Sequence, residues 1–257
     1  MNALPTIESE DESEPENHSL GRVIFNRIGT LERTRLQTRC LQALSATPVW
    51  NQLVFRGGVA LHGVYLHGRC SRDLDFLAPA AIQENFMEIL AAQGIALEKK
   101  EDARVPFFPM QGTVFKEIAV GIDVCPRAAS DITWEDALFQ GVGNTTMPVR
   151  VLPLVHLMAE KFCAASRRAS ATDFYDIYVF AQKRPDLLTE LARVLCIGEL
   201  SGEKLKFNAE QTWLHFQQVR DVWHEELIPL MPQVPPFETV AHDLAGTLKH
   251  FAADFPF

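Results

Sequence analysis

Apolar positions follow strand and helix periods in the first part of the chain, and almost only the helix period after residue 153. From 20 to 45 (LGRVIFNRIGTLERTRLQTRCLQALS) their near-helical spacing predicts one helix or two. Residues 52–56 (QLVFR) predict a short strand ending at Gly57-Gly58, and Val59 to Leu66 resumes the helical pattern. Arg72 to Leu77 predicts a strand, Ala80 to Gln93 a helix stopped by Gly94, and 95–100 and 114–126 two further strands. A helix is predicted near Trp134 to Gln140, then a GVGN turn and a last strand, PVRVL. Strands interleaved with helices imply an α/β or α+β core.

Pro153 suits the first position of a helix, and Leu154, Leu157, Met158, Phe162 and Ala165 follow on one face. A second helix is expected over 171–183, a third with Phe216, Val219, Trp223 and Leu227 as its stripe, and a last one over 238–252. Those aromatic stripes read as core. The division is an acidic tail over 1–18, expected to be disordered, a core over 19–152 and a helical C-terminal domain over 153–257.

Composition narrows the class. With 257 residues, 47% hydrophobic and 22% charged, the chain can bury a core without staples. No apolar run approaches the roughly 20 residues of a membrane span, and the acidic start lacks a basic, apolar leader. A cytoplasmic protein without a membrane partner is expected. The net charge is −9, but Glu8, Glu10, Asp11, Glu12, Glu14 and Glu16 leave the remainder at only −3. That balance excludes a broad nucleic-acid-coating surface, though Arg150, Lys161, Arg167 and Arg168 can form a local basic patch. The five cysteines form no C-x-x-C pair, which argues against disulfides and a zinc knuckle. His62, His67 and Cys70 are too irregularly spaced, and lack a fourth ligand, to read as a metal site.

The candidate chemistry lies in residues 54–76, VFRGGVALHGVYLHGRCSRDLDF. Successive side chains of a strand face opposite ways, so Asp73 and Asp75 share one face while Leu74 and Phe76 enter the core. Over 118–125 the same parity sets Ile118, Val120, Ile122 and Val124 against Asp123. If the two strands are neighbours, three carboxylates converge. Two like charges about 4 Å apart repel by roughly 4 kcal/mol at an effective dielectric of 20, so such a trio needs cations. Hard oxygen ligands suit Mg²⁺ or Mn²⁺. At the Gly57-Gly58 turn the backbone N–H groups can approach a triphosphate. Strand, diglycine, helix, D-x-D and a later strand Asp together point to a nucleotide and metal site.

These residues resemble the polymerase-beta-like nucleotidyltransferase superfamily, with fourteen residues between Gly58 and Asp73. The longer segment GGVALHGVYLHGRCSRDLDF looks specifically like the AbiEii/AbiGii toxin family, with Val59 in place of the usual Thr and with Arg69, Ser71, Asp73 and Asp75 matching. A second block, LPLVHLMAEKFCAASRRASATDFYDIYVF, is similar to that family's helical motif: Lys161, Arg167, Asp173 and Asp176 match, while Thr172 and Val155 or His156 depart from it.

The resemblance implies an α+β nucleotidyltransferase core, a mixed sheet with flanking helices, followed by a helical C-terminal part. It implies transfer of a nucleotide from an NTP to an acceptor hydroxyl, a toxin–antitoxin setting with a cognate antitoxin, and a tRNA 3′ end as acceptor. Asp73, Asp75 and Asp123 would hold metal, with Asp123 alternatively a general base; Gly57, Gly58, Arg69, Ser71 and Lys161 would bind nucleotide. Several roles stay open. Lys161 interrupts an apolar stripe and needs an anion, either a phosphate or the acids Glu160, Asp173 and Asp176. Asp173 also fits the N3 position of a capping box begun by Ser170, which leaves Asp176 the better functional or lysine-orienting candidate. Arg69 could grip phosphate or pair locally, and Ser71 could cap a turn. Transfer to a small-molecule hydroxyl and a catalytically idle nucleotide- or antitoxin-binding module are the competing readings.

Overall fold

The computed structural model describes residues 16–79, 82, 88, 92, 120–200 and 203–252. Strands β1 (Val54–Arg56), β2 (Leu74–Ala78), β3 (Ile122–Pro126), β4 (Glu135–Gln140) and β5 (Thr146–Val151) form a five-stranded sheet in the order β3-β2-β1-β5-β4. The sheet is mixed: β2–β3 and β1–β5 pair parallel, β1–β2 and β4–β5 antiparallel. Helix α1 (Glu16–Ser45) precedes it, and α2 (Gly57–Ala60) leads from β1 into a π-helical turn, Leu61–Leu66. After β5 come α3 (Leu154–Ala165), α4 (Ala171–Lys183), α5 (Leu188–Ile197), a small hairpin β6 (Glu199–Leu200) and β7 (Glu203–Lys204), α6 (Ala209–Gln218), α7 (Trp223–Leu227) and α8 (Phe237–Phe251). The architecture is the expected α+β one, helices following a mixed sheet.

One buried apolar cluster runs from Leu36 of α1 to Leu248 of α8. In the sheet, Phe55 stacks on Phe76 with centroids 5.1 Å apart and meets the edge of Phe139 at 5.8 Å. Among the helices Phe216 lies flat on Phe237, 4.5 Å away, with Trp223 edge-on to both.

Several elements differ from the sequence expectations. The helix near Trp134–Gln140 is strand β4, paired with β5 from Glu135↔Val151 to Gln140↔Thr146. Its helix-forming Glu, Ala, Leu and Gln are overridden by pairing through the adjacent turn, where Gly143 and Asn144 adopt left-handed φ of 72° and 60°. Ala137 is half-buried, Leu138 59% exposed and Phe139 buried, the period of two that a strand gives. The third helical stripe is broken at Val219–Val222 into α6 and α7, although Phe216, Val219, Trp223 and Leu227 are all buried. Helix α5 and the β6–β7 hairpin were not foreseen. Residues 1–15 of the acidic tail, most of the helix expected over 80–93, and the segments 95–100 and 114–119 lie outside the described residues, and α1 begins at Glu16.

Candidate active site

Strand β1 gives way to α2 at Gly57, whose φ of +73° is left-handed and suits glycine. Space decides the matter further: a Cβ on Gly57 would lie 1.9 Å from Asp75 Oδ2, and one on Gly58 would lie 2.4 Å from Ser71 Oγ. The missing side chains are what lets Asp75 and Ser71 close onto the diglycine turn.

The loop that delivers the acids is tied down on several sides. Gln37 of α1 donates to the carbonyls of Ser71 at 3.1 Å and Arg72 at 2.8 Å. The Cys70 N–H donates to Leu230 O at 2.8 Å, and the Leu74 N–H to Gly121 O at 2.8 Å. The chain therefore enters β2 with Asp73 exposed and Asp75 half-buried. Asp75 stands opposite Arg56 of β1 on one side and Asp123 of β3 on the other. Burial and the charge of Asp73 push the Asp75 carboxyl up to about 6, Asp123 adding and Arg56 opposing. Crowded carboxylates of this kind fit a divalent cation, which removes the repulsion. The side chains are not closed into a cage: among the described residues no three His, Cys, Asp or Glu groups form a metal cluster.

Asp73, Asp75, Gly57, Gly58, Ser71 and Lys161 line one cavity of about 640 Å³, but Asp123 is not part of its wall. Arg69 and Asp173 also reach the wall, and Asp176 does not. Arg167 and Arg168 line it too, whereas Arg150 sits elsewhere, with its guanidinium 4.3 Å from the Trp134 ring centroid.

The far wall is an ion-pair network. Asp176 of α4, fully buried, accepts from Arg69 Nε at 2.7 Å on Oδ1 and from Arg69 Nη2 at 2.7 Å on Oδ2. Lys161 Nζ of α3 lies 2.8 Å from Asp173 Oδ1 and 3.0 Å from Asp176 Oδ2. Arg168 Nε donates to Asp173 Oδ2 at 2.8 Å. Burial alone would push both carboxyls up. Arg69, Lys161 and His62 nevertheless hold Asp176 well below the usual carboxylate range, and Lys161 and Arg168 hold Asp173 below it. Burial likewise opposes the Lys161 ammonium, and Asp176 and Asp173 more than restore it. Arg69 thus pairs with an acid 107 residues further on, and Lys161 has Asp173 and Asp176 of its three candidate acids as partners while 15% of its side chain stays exposed. Ser170 caps α4 in position but makes no capping hydrogen bond; its hydroxyl meets that of Thr172 at 3.0 Å, and Asp173 serves the cations instead.

Two groups were missed. Arg56, at the end of β1, pairs at 3.1 Å with Glu160 across the cavity wall, and its place directly before the diglycine was the available signal. His62 was weighed only as a metal ligand, yet its Nε2 lies 2.8 Å from Asp176 Oδ1. It carries no local sequence signal, because its partner is 114 residues away.

The fold that carries this site has counterparts among solved structures. MenT4, a nucleotidyltransferase toxin from Mycobacterium tuberculosis H37Rv, superposes with a TM-score of 0.59 at 20% identity, over 93% of this chain and 88% of its own. JHP933 from Helicobacter pylori does so with a TM-score of 0.53 at 18% identity, over 87% and 92%. The fold is that of nucleotidyltransferase toxins. Residues 39–243 match the family of the AbiEii nucleotidyl transferase toxin of type IV toxin–antitoxin systems, and the chain belongs to that family. It is a nucleotidyltransferase. No curated protein matches the sequence.

Proposed function

We propose that this toxin transfers a nucleoside monophosphate from an NTP to an acceptor hydroxyl in a metal-dependent reaction, with a tRNA 3′ end as acceptor. The observation that carries the reading is the seating of Asp75 against Gly57, beside Asp123 and in one cavity with Lys161. Asp73, Asp75 and Asp123 would hold Mg²⁺ or Mn²⁺, which when bound neutralises phosphate charge and polarises the reacting phosphoryl group. Gly57 and Gly58 line the cavity with Asp75 Oδ2 and Ser71 Oγ seated against them, and their backbone N–H groups would meet phosphate oxygens there. Lys161 supplies a cation fixed by two buried acids and directed at the same space. Arg69 and Asp176 hold that wall rather than touch substrate, since both side chains are almost wholly buried.

A polynucleotide acceptor is supported by local rather than global charge. Arg72, Arg167 and Lys204 line the cavity in addition to the cations paired with its acids, although the whole chain is at −9. The setting is a cytoplasmic toxin restrained by a cognate antitoxin, as membership of a type IV family suggests. Among the described residues no helix is long and apolar enough to cross a membrane.

Purified protein incubated with labelled NTPs, Mg²⁺ and total RNA tests the reading. Label in the tRNA fraction that disappears on chelation is expected. Label only on a small-molecule acceptor would favour the antibiotic-type alternative, and no transfer to any acceptor an idle binding module.

A further inference from the structure

The π-helical turn after α2 carries a buried imidazole that the proposed chemistry does not use. His62 is 5% exposed and does not line the cavity. Its backbone carbonyl accepts the N–H of His67 at 3.1 Å, where the chain turns left-handed with φ 48°. Its ring Nδ1 accepts the N–H of Gly68 at 3.2 Å. A Cβ on Gly68 would lie 3.4 Å from the ring, so the turn wraps closely around it. With Nδ1 an acceptor, the ring proton sits on Nε2, which donates to Asp176 Oδ1 at 2.8 Å.

That assignment divides the Asp176 carboxylate into two ends. Oδ1 receives His62 and Arg69 Nε, and Oδ2 receives Arg69 Nη2 and faces Lys161 at 3.0 Å. A neutral donor occupies a lone pair on Oδ1 without adding a third cation, so the carboxylate charge stays available to Arg69 and Lys161. Without it Oδ1 would lack that donor in a site closed to water, and the carboxylate would turn to compensate, drawing the lysine with it. We infer that His62 is a positioning residue for Lys161: acting through Asp176, it fixes where the ammonium stands in the nucleotide cavity. The inference rests on the reading of Lys161 as a phosphate ligand.

The experiment is calorimetric binding of the four NTPs in Mg²⁺ to the full chain, comparing the tightest-bound one. Variants are His62→Leu, His62→Gln, His62→Asn, Lys161→Ala and the His62→Leu/Lys161→Ala double variant, with melting temperatures alongside. Loss of a hydrogen bond to a charged group should weaken NTP binding about tenfold in His62→Leu. His62→Gln, whose amide N–H still reaches Asp176, should stay within about twofold of wild type. His62→Asn keeps the acceptor for Gly68 but not the reach, and should behave like His62→Leu; this pair decides the matter if the leucine variant does not fold. Adding His62→Leu to Lys161→Ala should cost no further affinity. A lowered melting temperature with unchanged NTP affinity, or the same loss with and without Lys161, would overturn the inference. Wild-type affinity in Lys161→Ala would instead overturn the phosphate reading, and the inference with it. No NTP binding by the wild type would remove both.

Discussion

Gly57 combines a left-handed backbone with a carboxylate oxygen where its side chain would be. Alanine there should cost roughly 1–2 kcal/mol for the conformation alone, before Asp75 is moved. Each kcal/mol lowers the melting temperature of a chain this size by about 2–4 °C. The larger effect should fall on activity: a misplacement near 1 Å can cost on the order of 10²-fold in rate. We therefore expect Gly57→Ala to fold, melt a few degrees lower and lose most NTP transfer. Asp73→Ala and Asp75→Ala should abolish transfer and leave folding intact, since Asp73 is exposed and Asp75 only half-buried, and the ion pairs of the cavity wall run through Glu160, Asp173 and Asp176. Transfer at the wild-type rate by either variant in the labelled-NTP assay would remove these residues from the chemistry.

Helices α3 and α4 meet through the Lys161–Asp173–Asp176 cluster, and its two acids should differ in what they support. Asp176→Asn leaves Arg69, 3% exposed, without its bidentate partner and should cost about 3–5 kcal/mol in urea unfolding. Asp173→Asn frees Arg168, whose side chain is already 63% exposed, and should cost less, about 1–3 kcal/mol. Equal losses would mean that burial of the cations does not set the energetics. How far the sequence revealed this site follows from the range of its signals. The D-x-D spacing, the diglycine and the inward lysine are local patterns, and their residues line one cavity, although β2 begins only at Leu74, one residue after Asp73. The parallel neighbourhood of β2 and β3 was only a condition until the register Asp75↔Asp123 met it. Strand β4 was misread because Glu, Ala, Leu and Gln favour a helix when isolated, and only its partner strand says otherwise. The latch of His62 and Arg69 on Asp176 spans more than a hundred residues, and no local pattern encodes it.

On the scale of the whole molecule, that latch ties the turn after β1 to a helix of the second half, and its protonation links to global stability. The Asp176 and Asp173 carboxyls both lie below their ordinary value in the folded chain. In the unfolded chain an Asp titrates near 3.9, so below about pH 5 the unfolded state takes up protons first. Stability from the network is thus fully present above the unfolded value and is lost as the pH falls through the lower folded values. His62 does not reverse this sign: burial holds its imidazole below the ordinary range, with Asp176 opposing, and protonating it would break the bond from Gly68. The difference in unfolding free energy between wild type and Asp176→Asn should therefore be constant from pH 7 to about 5 and shrink below about 4. Urea titrations at a series of pH values measure it directly. A difference that stays level down to pH 2 would mean that Asp176 titrates alike in the folded and unfolded chain, so that the network does not hold its carboxyl down, and one that widens would mean that the carboxyl is raised in the folded chain.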